Sequence, residues 1–168
     1  MGLNAFRKNK EKPLYRAVQL YRFPSDYPTQ VEFLRELKDA RFTVEHTNPD
    51  NWGKSAECTW PECYGCEQAL KQAYTGWVQK TKMYIDAMVL NAPVVIQQSL
   101  TPSSLYSKLL TYDSIRGTLF EVTKTGKGKR TKHLLEPLSD CTPTIEKINL
   151  TDYTKTIPYT QQEQYYNK

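Results

Sequence analysis

Long apolar runs, histidine and cysteine are all scarce in this sequence of 168 residues. No stretch approaches the run of about 18 apolar residues that a membrane-spanning helix needs, so no transmembrane segment is expected. The basic start, from Met1 to Lys12, has no apolar stretch behind it, which argues against a signal peptide and indicates a cytoplasmic protein. The four cysteines would then meet a reducing environment, where clustered thiols favour a metal over disulfide bonds.

The only two histidines, His46 and His133, limit the catalytic chemistry that the chain could support. No Ser–His–Asp or Cys–His pairing can be argued if one of them binds a metal. Metal-dependent nucleases need clustered carboxylates near the ion, whereas Glu57, Glu62 and Glu67 beside the cysteines read as surface charge. A Walker-type phosphate loop is also absent. We therefore expect that the protein is not an enzyme.

Tyrosine and positive charge, in contrast, are plentiful: the chain has 12 tyrosines and a formal net charge of +5. Tyrosine rings are flat and amphipathic and can stack on a ligand, although tyrosine is also favoured in β-strands. A basic balance suits a polyanionic partner, but many soluble domains with such a charge bind no nucleic acid. The composition is therefore compatible with a nucleic-acid ligand but does not by itself indicate one.

The chain length fits one domain, with a flexible basic arm at 1–13 and a polar C-terminal tail at 139–168. Between them, residues 14–138 contain short strand-like segments, glycine turns and one short helix after Thr101. The stretch 44–76 is rich in loops and has too few aliphatic residues to build its own core. We predict a mainly β fold, a five-stranded OB-fold barrel, with 44–76 as an inserted zinc subdomain.

The strongest local motif has the spacing His-x11-Cys-x4-Cys-x2-Cys. Its members are His46, Cys58, Cys63 and Cys66. Three cysteines and one histidine are a standard tetrahedral set for structural zinc, with no position left open for a catalytic water. Gly65 is expected to let the backbone turn so that both neighbouring sulfurs face one ion. Alternatives are isolated buried thiols, a redox C-x2-C pair, or His133 as the fourth ligand.

A basic hairpin is predicted at 118–137, with Gly126 and Gly128 leaving room for a phosphate chain. Lysine and arginine neutralise phosphates, and aromatic rings stack on unpaired bases. The alternative is an ordinary solvated hairpin, and some of the aromatic residues will belong to the core. The candidate contacts for single-stranded DNA are Tyr21, Arg22, Arg41, Trp52, Trp60, Tyr64, Trp77, Lys80, Lys82, Tyr84, Phe120, Lys124, Lys127, Lys129, Arg130 and Lys132.

Three features in this order resemble the single-stranded DNA-binding proteins of tailed bacteriophages, of the gene-32 type. They are the His–Cys cluster at 46–66, the strands and helix at 83–110, and the closing hairpin at 120–137. The resemblance covers roughly 15–137. It departs from the family in a shorter cysteine spacing, in Lys124 where arginine is frequent, and in the lack of an acidic C-terminal tail.

The resemblance implies an OB fold with a zinc subdomain and a basic, aromatic cleft for single-stranded DNA. It also implies cooperative self-association through the basic arm, phage replication proteins as partners, and a location in the cytoplasm of a bacterial host. The expected function is coating and protecting single-stranded DNA in replication, recombination or repair, without sequence preference. The alternative is a zinc-stapled module that binds a host or virion protein.

Overall fold

The computed structural model describes residues 20–52, 54–71, 76–145 and 147–168, so the arm predicted at 1–13 lies outside the described residues. These residues form a mainly β fold. The strands are β1 Leu20–Tyr21, β2 Pro28–Phe33, β3 Arg41–Thr47, β4 Ser55–Glu57, β5 Val78–Val89, β6 Ala92–Ser99, β7 Thr118–Thr125 and β8 Lys132–Asp140, and the helices are α1 Tyr64–Lys71, α2 Leu105–Leu109 and α3 Tyr159–Asn167. No helix within this part of the chain is long and apolar enough to cross a membrane.

The central strand of the sheet is β5. Its two halves pair with β3 and β2 along one edge, and β6 pairs with it along the other. The sheet continues from β2 to β7 and β8, and the short β1 lies parallel to β6. The predicted five-stranded barrel is not confirmed, because the described strands form a mixed, unclosed sheet of eight strands.

The strand β5 runs from Val78 to Val89 without a break. Its first half faces solvent, whereas most side chains from Met83 to Val89 are buried on both faces of the sheet. The hairpin to β6 turns at Leu90 and Asn91, which both have positive φ, at 51° and 60°. Such two-residue turns match the twist of a hairpin, and Pro93 already pairs within β6.

The main core lies on one face of the sheet and includes Phe33 and Phe120, whose ring centroids are 5.8 Å apart. A second core on the other side contains Tyr84, Val95 and Leu150. Phe120 is 0% exposed and Tyr84 is 2% exposed. Both were candidate DNA contacts, but in this structure neither ring offers a face to a base, because each fills a core.

The segment predicted as a polar tail packs against the sheet through a buried ion pair. Arg35 Nε donates to Asp86 Oδ1 at 2.5 Å, and the carboxylate is fully buried. Ile148 N donates to Asp86 Oδ2 at 2.8 Å, and Arg35 Nη2 donates to Ile148 O at 2.7 Å. The pair thereby holds the backbone that leads to a 3-10 helix at Leu150–Tyr153.

Candidate metal centre and basic cleft

The four predicted metal ligands converge in space. Their ligand atoms, on His46, Cys58, Cys63 and Cys66, all lie within 4.8 Å of one another. Cys66 Sγ lies 3.5 Å from Cys58 Sγ and 3.3 Å from His46 Nε2. Tetrahedral zinc, with Zn–S near 2.3 Å and Zn–N near 2.0 Å, separates neighbouring ligand atoms by about 3.6–3.8 Å. The cluster is therefore compatible with a metal site, and His133 is not part of it.

Three elements position these ligands. His46 lies on β3 opposite Ala56 of β4, and Cys58 directly follows that hairpin, with its N–H donating to Val44 O at 2.7 Å. Cys63 and Cys66 lie at the start of α1, one before the helix and one within its first turn. The hairpin and the helix thus close around the four ligand atoms, as a tetrahedral centre requires.

Gly65 contributes to the metal centre in a different way from the backbone turn that was predicted for it. It lies inside α1, where a Cβ would come within 2.5 Å of His46 Cγ. Side chains cannot approach that closely, so glycine is the residue that lets the helix pass beside the imidazole ring. The expectation about the turn was wrong, because the helix itself brings the two sulfurs to one side.

Replacing Gly65 by alanine should displace His46 and lower metal affinity by about 10–100-fold, the range typical of groups that position a ligand. Competition with a metal-binding dye measures this affinity. Leu70→Ala is the matched control, because Leu70 is on the same helix but 80% exposed. Equal metal affinity for Gly65→Ala and Leu70→Ala would contradict this role of Gly65.

The protonation of the centre is set by burial and by neighbouring thiols. Burial lowers the pKa of His46, which keeps the imidazole neutral and able to bind a metal. Burial also opposes ionisation of Cys63, but backbone hydrogen bonds from residues 66 and 59 outweigh it and lower its pKa. Burial and the adjacent thiols raise the pKa of Cys66 to about 12. A divalent cation would reverse this last effect, because it favours thiolates.

The helix α3 holds the loop of the centre through the buried side chain of Gln162. Gln162 Oε1 accepts from Tyr64 N at 2.7 Å, and its Nε2 donates to Thr59 Oγ1 at 2.7 Å and Ile157 O at 2.8 Å. One amide thereby satisfies groups on both sides of Cys63. Sequence reasoning missed this helix, although Tyr159, Gln162 and Tyr166 recur at the spacing of one helical face.

Tyr166 of α3 packs against the aromatic candidates on this side of the molecule. Its ring stacks on Tyr64 at 6.1 Å and 19°, and meets Trp77 edge-on at 5.0 Å. Tyr64 and Trp77 are therefore partly covered packing residues. Trp52 and Trp60, by comparison, are 65% and 72% exposed.

A basic cleft lies on a different part of the surface from the metal centre. A cavity of about 700 Å³ adjoins a second of about 230 Å³, and Gln97, Gln98, Thr131 and His133 line both. The cations of the cleft are Arg22, Lys80, Lys124 and Lys129, and Tyr21 lies beside them. None of the described residues that line it is acidic.

The remaining basic candidates lie outside this cleft. Arg41 pairs with Glu57 at 3.0 Å and Lys82 pairs with Glu45 at 2.5 Å, so both charges already have carboxylate partners. Lys127, Arg130 and Lys132 are exposed around the hairpin tip between β7 and β8 and do not line the cleft. The structure therefore brings together only part of the predicted basic set.

The sequence matches no known protein family, and neither curated proteins nor solved structures give a match. Function must therefore be inferred from the geometry of the metal centre and the basic cleft. Sequence reasoning missed Gln97 and Gln98 as cleft residues. Both are uncharged residues of β6, and only the folded sheet brings them beside the cations of the cleft.

Proposed function

We propose that the protein binds single-stranded DNA in the basic cleft, without sequence preference, and that a structural zinc ion holds the metal centre. The observation that carries the proposal is the set of four cations along a cleft lined by no described carboxylate. A cleft of one charge sign concentrates the field and attracts a ligand of opposite sign. A phosphate chain is such a ligand, and its displaced counterions drive binding.

The arrangement of the cations supports an extended ligand. Arg22 and Lys124 line the smaller part of the cleft, whereas Lys80 and Lys129 line the larger part. A compact phosphate would need its cations around a single point, but these are distributed along two joined cavities. A chain of phosphates can meet all four, as single-strand binders with charged grooves do.

Tyr21 supports single strands over duplex as the ligand. The ring is half-buried and meets Phe23 edge-on at 5.2 Å, so it is held in place at the wall of the cleft. A fixed exposed ring face stacks on an unpaired base, which contributes about 1–3 kcal/mol. Stacking accepts any base, so such a site would suit coating DNA during phage replication, recombination or repair.

Zinc is the proposed metal because of the donor set. Three thiol groups and one imidazole are soft ligands that suit Zn²⁺, and four protein ligands close the coordination sphere. The ion would stabilise the loop around Cys58–Cys66 and take no part in chemistry. Partners beyond DNA, such as a second copy or replication proteins, remain part of this proposal through the family resemblance only.

Replacing Lys80, Lys124 and Lys129 together by alanine should weaken binding to oligo(dT) and flatten its salt dependence. Each lost phosphate contact removes about 0.7 from the slope of log K against log salt, so the slope should fall by about 2. Fluorescence anisotropy across a salt series measures both quantities.

The matched control is the triple alanine variant of Lys38, Lys71 and Lys147, which are exposed and line neither part of the cleft. Both variants lose the same formal charge, so a difference between their salt slopes shows that the position of the lysines matters. Equal salt slopes for the two variants would overturn the assignment of the cleft. No binding by the unmodified protein at low salt would instead favour the protein-interaction alternative.

A further inference from the structure

We propose that His133 is a phosphate-binding residue of the basic cleft that takes up a proton when DNA binds. The inference rests on the proposed function and adds a residue that was not among the predicted DNA contacts. It makes the affinity for DNA depend on pH through one identified group.

The imidazole ring of His133 lies in the cleft. His133 is on β8 directly opposite Lys124 of β7. Alternate residues of a strand share a face, so these two extend the inward face of Val122 and Leu135 beyond the core. The ring meets Phe23 edge-on at 6.1 Å. It is one of the four residues that line both cavities, so it lies where the two parts of the cleft join.

One ring atom of His133 is unsatisfied. His133 is 7% exposed, and its Nδ1 is buried without a hydrogen-bond partner among the described residues. Buried polar groups normally have a partner, and a charged ring whose one nearby acceptor is the Ser103 carbonyl would be costly. A phosphate in the cleft would supply negative charge and acceptor oxygens beside this ring.

Positive charge surrounds the ring. The ionisable groups that line the cleft with it are Tyr21, Arg22, Lys80, Lys124 and Lys129. The helix α2, which packs on β8, carries Tyr106 and Lys108. Lys132 is one residue from His133 and Glu121 and Glu136 are three residues along their strands, so all three face the opposite side of the sheet. The segment before β2 adds one carboxylate, Asp26, whose N–H donates to Lys124 O at 2.7 Å, so cations still outnumber anions around the ring.

These surroundings keep the free imidazole neutral. Burial lowers the pKa of His133 and Lys124 lowers it further, while the Ser103 carbonyl acts in the opposite direction. DNA would neutralise the surrounding lysines and place phosphate near the ring, and both changes raise the pKa of His133. Because the bound state then holds more protons than the free state, affinity should rise as pH falls from the pKa of the bound state toward that of the free state.

The chain is well suited to a test, because its only other histidine, His46, belongs to the metal centre. The experiment measures the dissociation constant for oligo(dT) between pH 5.5 and 8 at fixed ionic strength. The unmodified protein should bind more tightly as pH falls, by at most about tenfold per pH unit for one proton. His133→Gln keeps a polar side chain of similar size and should remove this dependence.

A second measurement guards against a folding defect in the variant. The ring proton signals of His133 in the unmodified protein should titrate at higher pH with oligo(dT) present than without it. Binding that is independent of pH, an equal pH dependence in His133→Gln, or an unmoved titration would overturn the inference while leaving the proposed function intact. Absence of binding at every pH would overturn both.

Discussion

Replacing Cys63 by serine is expected to remove the metal and lower the melting temperature by about 10–20 °C. Structural zinc contributes folding free energy directly, because the unfolded chain has no preformed site. A loss on the order of 5 kcal/mol corresponds to that range for a domain of this size. Chelation of the unmodified protein should produce a similar shift, and elemental analysis should find about one zinc per chain before chelation.

The effect should be large because the other contacts of this region are mostly polar. Within α1, only Gly65 is buried, although Tyr64 stacks on Tyr166, and hydrogen bonds hold the loop through Cys58 N, Thr59 Oγ1 and Tyr64 N. Polar contacts of this kind contribute only about 1 kcal/mol each. The metal would therefore be the principal constraint on the loop.

Cys141→Ser is the matched control, because this thiol lies outside the cluster. It should leave both the zinc content and the melting temperature unchanged. If Cys63→Ser kept a full equivalent of zinc, or if chelation left the unmodified protein equally stable, the cluster would not be a structural metal centre.

Replacing Asp86 by alanine should destabilise the protein by about 3–5 kcal/mol. The substitution leaves the guanidinium of Arg35, which is 14% exposed, without its partner. An unpaired charge in such a place costs far more than the intact pair contributes. Ile148 N also loses its acceptor, so the segment after β8 should loosen from the sheet. Urea unfolding measures the stability, and hydrogen exchange at Ile148 reports the loosening.

The double variant Arg35→Met, Asp86→Ala tests whether the unpaired charge of Arg35 causes the loss of stability. It removes both charges, so part of the lost stability should return. Asp113→Ala, at an exposed position, should change stability by no more than about 0.5 kcal/mol. Additive losses in the double variant would show that the ion pair is not the source of the effect.

The metal cluster could be predicted because its signal is local and chemically specific. Four ligands of the right type within 21 residues leave few other interpretations, and the structure brings their ligand atoms together. The β-rich class was also predictable from short strand-like segments and glycine turns. Whether the sheet closes into a barrel could not be predicted, because strand order depends on pairings between distant segments that no local pattern encodes.

The carboxylate partners of two charged candidates could not be predicted for the same reason. Arg41 and Lys82 look like free cations in the sequence, but the fold brings Glu57 and Glu45 to them. Lys80, two residues before Lys82, lines the cleft instead. In the register of β3 and β5, Glu45 lies directly opposite Lys80, yet its carboxylate accepts from Lys82, two residues along β5. The fate of each lysine is therefore set by side-chain contacts in the folded sheet.

The hydrogen bond from Tyr64 N to Gln162 also has a consequence for the order of biosynthesis. These residues are 98 positions apart, so a ribosome working at about 5–20 residues per second needs roughly 5–20 seconds to make one after the other. All four metal ligands are synthesised by residue 66, at the start of that interval. The nascent chain would capture its ion first, and α3 would seal the loop only near the completion of translation of this segment.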